Sequence, residues 1–170
     1  MHYGAKNGNF DIVKHIIEEA TRLKIIARLV NKQNELGFTP LIEVAMRGYH
    51  LSGDKDRAIE SRYKIIESLV KGGADANYSR AATRMSALHW LAHNNDEQAI
   101  KSLLNLGADH LMLSHDKLLP IDVAGSTPSF ASLDAFLDQF QKENGLNPQE
   151  NNAHSSLKGL NDFVMPTETA

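Results

Sequence analysis

Residues 86–109 read SALHWLAHNNDEQAIKSLLNLGAD. Approached from Ala82 to Met85, the stretch opens on a short apolar helix carrying Leu88, Leu91 and Ala92. Asn94, Asn95 and Asp96 interrupt it, and a second helix follows with Ala99, Ile100, Leu103 and Leu104. Gly107 then stops the chain, since glycine enters the left-handed conformation of a helix C-cap without steric cost. Neither helix is long enough to stand alone in water. Each must bury its apolar stripe on a neighbour, and the neighbour is another copy of the same unit.

The slot that Leu88 fills recurs at Met1, Leu41 and Ile121, in intervals of 40, 47 and 33 residues. The first two intervals exceed the last by 7 and 14 residues. A fixed period with localised insertions marks a stacked repeat. The recurring motifs are GFTPL (Gly37 to Leu41), SALHWLA (Ser86 to Ala92) and MHYGAKNGNFDIVKHII (Met1 to Ile17), with KGGADAN (Lys71 to Asn77) and NLGAD (Asn105 to Asp109) at unit ends. On these residues the chain resembles an ankyrin-repeat protein over roughly residues 1–140. The resemblance implies an all-α fold, an ankyrin-repeat solenoid of about four stacked helix pairs with short turns. The copies fall at about 1–33, 34–78, 79–111 and 112–143, the first and last atypical. Residues 144–170 are Asn-rich and polar, read as a disordered tail.

Bulk properties bound the function. Of 170 residues, 42% are hydrophobic and 23% charged, an ordinary globular balance. A net charge of -3 argues against nucleic-acid binding driven by overall charge. The absence of cysteine excludes disulfides, thiol nucleophiles and thiolate zinc sites. No apolar run approaches a membrane span, and the first residues lack the pattern of a signal peptide. A cytoplasmic location is expected, with the nucleus open.

The departures from the reference copy carry further expectations. Copy one enters at Met1, within a unit, so the chain is expected to be a fragment of a longer protein or capped by a partner. Its second helix, from about Asp11, has apolar positions Ile12, Ile16, Ala20, Leu23, Ala27 and Val30, which predicts one continuous helix about two turns longer than usual. In copy two, Gly37 makes the turn, Thr39 caps the helix, Pro40 suits its first position and Gly48 ends it. Ile59, Tyr63, Ile66 and Val70 predict a second helix starting near Asp54, capped by Asp54 or Ser52, with His50–Gly53 as loop. Copy three has an approach one residue longer, with Arg84 in the glycine slot. Copy four keeps Pro120 and Ala124 but has Asp122 for His, and Phe130, Leu133, Phe136, Leu137 and Phe140 predict a capping helix. Leu157, Leu160, Phe163, Val164 and Met165 could fold back or bind a partner.

No catalytic constellation emerges. His89 and His93 share a helix face, but no Glu follows the first His, and a structural role for His89 outweighs a metal site. Ser155, Ser156, His154 and Asp162 lie in the tail, where no rigid element holds them. There is no phosphate-binding loop motif. No cofactor and no metal are expected, and the chain is not read as an enzyme.

The resemblance implies a protein-interaction module whose turns project like fingers along a concave face with the inner helices. Expected contacts are Leu36, Phe38, Met46, Arg47, Arg80, Thr83, Arg84, Met85, Trp90, His93, Asn94 and Lys117. Arg80, Arg84 and Lys117 suit an acidic peptide or phosphate-bearing partner. The long helix from Asp54 adds a lateral feature. The resemblance also implies asparaginyl hydroxylation at Asn77, with Leu69 eight residues earlier and Asp75 two earlier; the bland alternative is a loop Asn bonding the next turn. The alternative function is a targeting or regulatory segment of a larger enzyme or channel.

Overall fold

The computed structural model describes residues 1–47 and 55–124, with 134–135, 138–139, 142–143 and 145 beyond them. Among residues 1–47 and 55–124 the helices follow in this order: α1 (His2–Lys6), α2 (Phe10–Arg22), α3 (Ile26–Val30), α4 (Pro40–Met46), α5 (Lys55–Lys71), α6 (Ala87–His93), α7 (Glu97–Asn105) and α8 (Pro120–Val123). Among the described residues there is no strand, only an isolated bridge between Ser79 and Ser86.

The helices pack in two rows. α1 lies on α4, α4 on α6 and α6 on α8; outside them α2 lies on α5 and α5 on α7. Each inner helix also meets its outer partner, α1 with α2, α4 with α5 and α6 with α7. Inner helices of four to seven residues cannot persist without this packing. Between the rows, Leu41, Ile65, Ile66, Leu69, Leu91 and Leu103 are fully buried. Each such side chain contributes about 1.5–3 kcal/mol relative to exposure.

Helix ends repeat one chemistry. At Gly107 the N–H bonds Leu104 O at 2.9 Å and the next N–H, of Ala108, reaches Leu103 O at 3.1 Å. Gly8, Gly73 and Asn95 close their helices with the same pair of bonds, each at positive φ. So does Lys24, at φ 57, and this corrects the expectation for copy one. The periodic run from Ile12 to Val30 is not one helix. Lys24 N–H bonds Thr21 O and Ile25 N–H bonds Ala20 O, ending α2 before α3 begins. The buried side is also rotated: Val13 and Ala20 are inside, whereas Ile12 and Leu23 stand open. The apolar spacing misled because α3 resumes helical phase and buries Val30.

In copy two, Thr39 Oγ1 accepts from Ile42 N–H at 3.4 Å and Pro40 opens α4. α5 is described from Lys55 onward, so the expected start near Asp54 lies outside the described residues. Its proposed caps Ser52 and Asp54, the loop at His50–Gly53 and the stop at Gly48 lie outside the described residues. Its inward face is Arg62, Ile65, Ile66 and Leu69, while Tyr63 is at the surface. Buried Arg62 donates to Asp96 Oδ2 at 2.9 Å, and Asp96 Oδ1 accepts from Ala99 N–H at 3.2 Å, capping α7. In copy four, Asp122 accepts from Leu119 N–H at 2.8 Å. Its carboxylate thus does what His89 Nδ1 does for Ser86 N–H at 3.2 Å. The aromatic capping helix falls on undescribed side chains, as does the tail beyond Gly145; Asp134, Asp138, Gln139 and Lys142 are helical and exposed.

Candidate functional site: the fingertips and inner-helix ends

Each approach to an inner helix is a tight turn closed by backbone and side chain. In copy two Asn34 N–H bonds Phe38 O at 2.9 Å, and Asn34 Oδ1 accepts from the N–H groups of Leu36 and Phe38. In copy four Ser114 N–H bonds Leu118 O at 2.8 Å and Ser114 Oγ accepts from Leu118 N–H at 3.1 Å. In copy three Arg80 N–H bonds Met85 O at 3.2 Å, so the extra residue is absorbed inside the finger.

The residue before the closing position is left-handed in all three: Gly37 at φ 79, Arg84 at φ 52 and Lys117 at φ 60. The following residue, Phe38, Met85 or Leu118, turns inward and is buried. Phe38 and Met85 are therefore core anchors and not contact residues. Sequence reading placed them at the surface because they flank the tips; the reversal of backbone direction at the left-handed residue sends them in.

Arg80 is also committed. Its Nε donates to Leu36 O at 2.9 Å and its guanidinium lies 4.5 Å from the Phe38 ring centre. Tyr78 Oη donates to Gly37 O at 2.9 Å alongside. His115 N–H bonds Thr83 O at 2.8 Å, joining the third and fourth fingers. The three fingers thus form one coupled edge, with Arg84 and Lys117 exposed at equivalent tips and Leu36 55% exposed at the second.

Below the tips, Asn94 Nδ2 donates to Ala45 O at 2.9 Å and Met46 O at 3.3 Å. This ties the end of α6 to the end of α4, bringing half-exposed Met46 and Arg47 beside exposed His93. Trp90 is packed, with its ring edge-on to His93 at 6.5 Å. The residues left open are Leu36, Arg84, His93 and Lys117, with Met46, Arg47 and Thr83 partly so. His115 belongs with them and was missed. Counting two residues back from the left-handed slot finds it, at the place of Glu35 and Ala82 in the other fingers.

His89 is fully buried and both ring nitrogens are engaged: Nε2 with Leu118 O at 3.2 Å, Nδ1 with Ser86. That pattern defines the neutral ring protonated on Nε2. Burial lowers its affinity for a second proton, against the opposing pull of the Leu118 carbonyl and Asp122. His2 Nε2 likewise meets a backbone carbonyl on the way to the next inner helix, but a different one: Lys32 O at 2.8 Å, two residues ahead of Asn34. Among the described residues no group of three acidic or imidazole side chains is placed to hold a metal ion, and no helix is long and apolar enough to cross a membrane.

Asn77 spans to the next unit. Its Oδ1 accepts from Asp109 N–H at 2.8 Å and its Nδ2 donates to Gly107 O at 3.4 Å. Asn31 makes the same pair with Asp75 N–H and Gly73 O. Between α5 and α7 a lateral groove of about 680 Å³ is lined by Ile59, Tyr63, Lys101 and Asn105 among others.

No curated protein matches the chain. Residues 83–115, the third finger with α6, α7 and the approach to α8, match the ankyrin repeat family, whose repeats are generally protein-protein interaction modules and typically non-enzymatic.

Proposed function

We propose that the chain is a non-enzymatic ankyrin solenoid of about four units that binds a protein or peptide partner along its fingertips and inner-helix ends. One observation carries the reading. Arg84 and Lys117 occupy the backbone slot that copy two gives to Gly37. A non-glycine residue there costs about 1–2 kcal/mol. Neither side chain is buried to offset that cost. Strain kept at exposed, chemically active residues points to use, and two cations on coupled tips suit carboxylate or phosphate groups.

Peptide selection against the immobilised chain tests this. The reading expects enrichment of acidic peptides, binding that weakens with salt, and a loss of about tenfold or more on Arg84→Glu or Lys117→Glu. Enrichment without acidic residues, or binding indifferent to both variants, contradicts it. A cytoplasmic location is part of the same proposal.

A further inference from the structure

The three fingers are held in register with one another. His115 N–H bonds Thr83 O at 2.8 Å between the fourth and third, and Arg80 Nε bonds Leu36 O at 2.9 Å between the third and second. The helices they lead into, α4, α6 and α8, pack in one row. Packed helices stand about 8–10 Å apart, so equivalent tips repeat at that step. Arg84 and Lys117 fill the same left-handed slot on neighbouring tips, at φ 52 and φ 60. Both side chains are exposed, and among the described residues neither has a hydrogen bond or an ion pair. Asp116, beside Lys117, has its Oδ1 3.5 Å from His115 Nδ1. The second tip has Gly37 in the slot and offers Leu36, 55% exposed, one residue earlier. The edge thus presents one apolar and two cationic side chains at regular steps.

Backbone conformations differ in whether they match that step. In a β-strand, side chains on one face recur at about 6.7 Å and about 13 Å, and both miss it. An α-helix matches only at every seventh residue, about 10.5 Å, and docks through an apolar groove. Among the described tip residues only Leu36 is a large exposed apolar side chain, so no such groove is offered. A polyproline-II segment has three residues per turn and rises about 3.1 Å per residue. Every third side chain therefore returns to one face after about 9.3 Å, and its solvated backbone needs no groove. We propose that the fingertips take a polyproline-II segment with carboxylates three residues apart, one on Arg84 and one on Lys117. An apolar residue three places beyond the first carboxylate meets Leu36. Resting on fingertip binding itself, this adds the conformation and the spacing of the partner.

Fluorescence anisotropy of the full chain with labelled synthetic peptides tests it. Three peptides share one composition, two Glu in a Pro-rich frame, with the second Glu two, three or four residues from the first. A fourth is an Ala-rich helical peptide with its two Glu seven residues apart. The three-residue spacing should bind at least about fivefold tighter than the others, the yield of one more exposed charge pair. Lys117→Asn puts a residue that tolerates the left-handed slot in place of the cation and should erase the preference. Equal affinity for every spacing overturns the inference and leaves acidic-peptide binding standing. Tighter binding of the helical peptide, or a preference that survives Lys117→Asn, overturns it as well. Binding of no peptide overturns both the spacing and fingertip binding itself.

Discussion

Arg62 and Asp96 form a buried ion pair, Nη1 to Oδ2 at 2.9 Å, that fastens the longest outer helix to the start of the next one. Arg62 lies at the level where α7 begins but α5 is still continuing, so its side chain meets a helix N-terminus instead of a helix flank. Removing one partner leaves the other charged and desolvated, which costs about 3–5 kcal/mol. Arg62→Ala should lower the urea midpoint accordingly. Asp96→Asn keeps an acceptor for the α7 cap and loses only the pair. Asp96→Ala loses both and should be less stable than Asp96→Asn by about 1 kcal/mol. Equal stability of the two Asp96 variants would contradict the capping role.

Much of the third unit was legible in advance, because its two apolar stripes, polar break and terminal glycine all agree. The break in copy one was not. Lys24 occupies a left-handed stop that composition advertises only when glycine or asparagine fills it. The Arg62–Asp96 pair was equally hidden, since it joins residues from two units and nothing in the periodicity of α5 marks Arg62 as an inward residue. Among the site residues, Leu36, Arg84 and Lys117 were readable from the turn pattern. Phe38, Met85 and Arg80 were not, because their direction depends on backbone reversal and on the adjoining finger.

Arg80 and Arg84 should behave oppositely on mutation. Arg80→Ala removes the bond to Leu36 O and the stacking on Phe38, and should destabilise by about 1–2 kcal/mol. Arg84→Gly relieves the left-handed strain but frees the unfolded chain, and should stabilise by about 0.5 kcal/mol. Thermal unfolding of the two variants distinguishes a staple from a contact residue. A drop in both would contradict the assignment.

Stability should fall on acidification through His89. Burial holds its folded proton affinity below the usual value near 6.5, so the unfolded chain takes up the proton first. The neutral ring's contribution is complete above that value and is lost as pH falls below it, down to the depressed folded value. Protonation would also turn Nδ1 from acceptor to donor against Ser86 N–H. His2 and His93 are depressed in the same direction and add to the slope. His89→Asn, which cannot titrate, should be less stable at pH 7 yet show a shallower decline towards pH 5 in melting temperature. A slope as steep as the wild type's would remove His89 from the account.

Asn31 and Asn77 form a ladder along the outer edge, each bonding the end turn of the next unit. Asn77→Ala should cost about 1 kcal/mol and raise amide exchange at Asp109, whose N–H loses its acceptor. Unchanged exchange at Asp109 would show that the ladder does not hold the turn.

The central claim is that the fingertip cations are kept for binding at the expense of backbone comfort. The most direct test measures melting temperature and affinity for a selected acidic peptide on one variant, Arg84→Gly/Lys117→Gly. The account predicts a melting temperature equal to or above the wild type's, with affinity reduced by about tenfold or more. Unchanged affinity in a variant that folds as well as the wild type would contradict it.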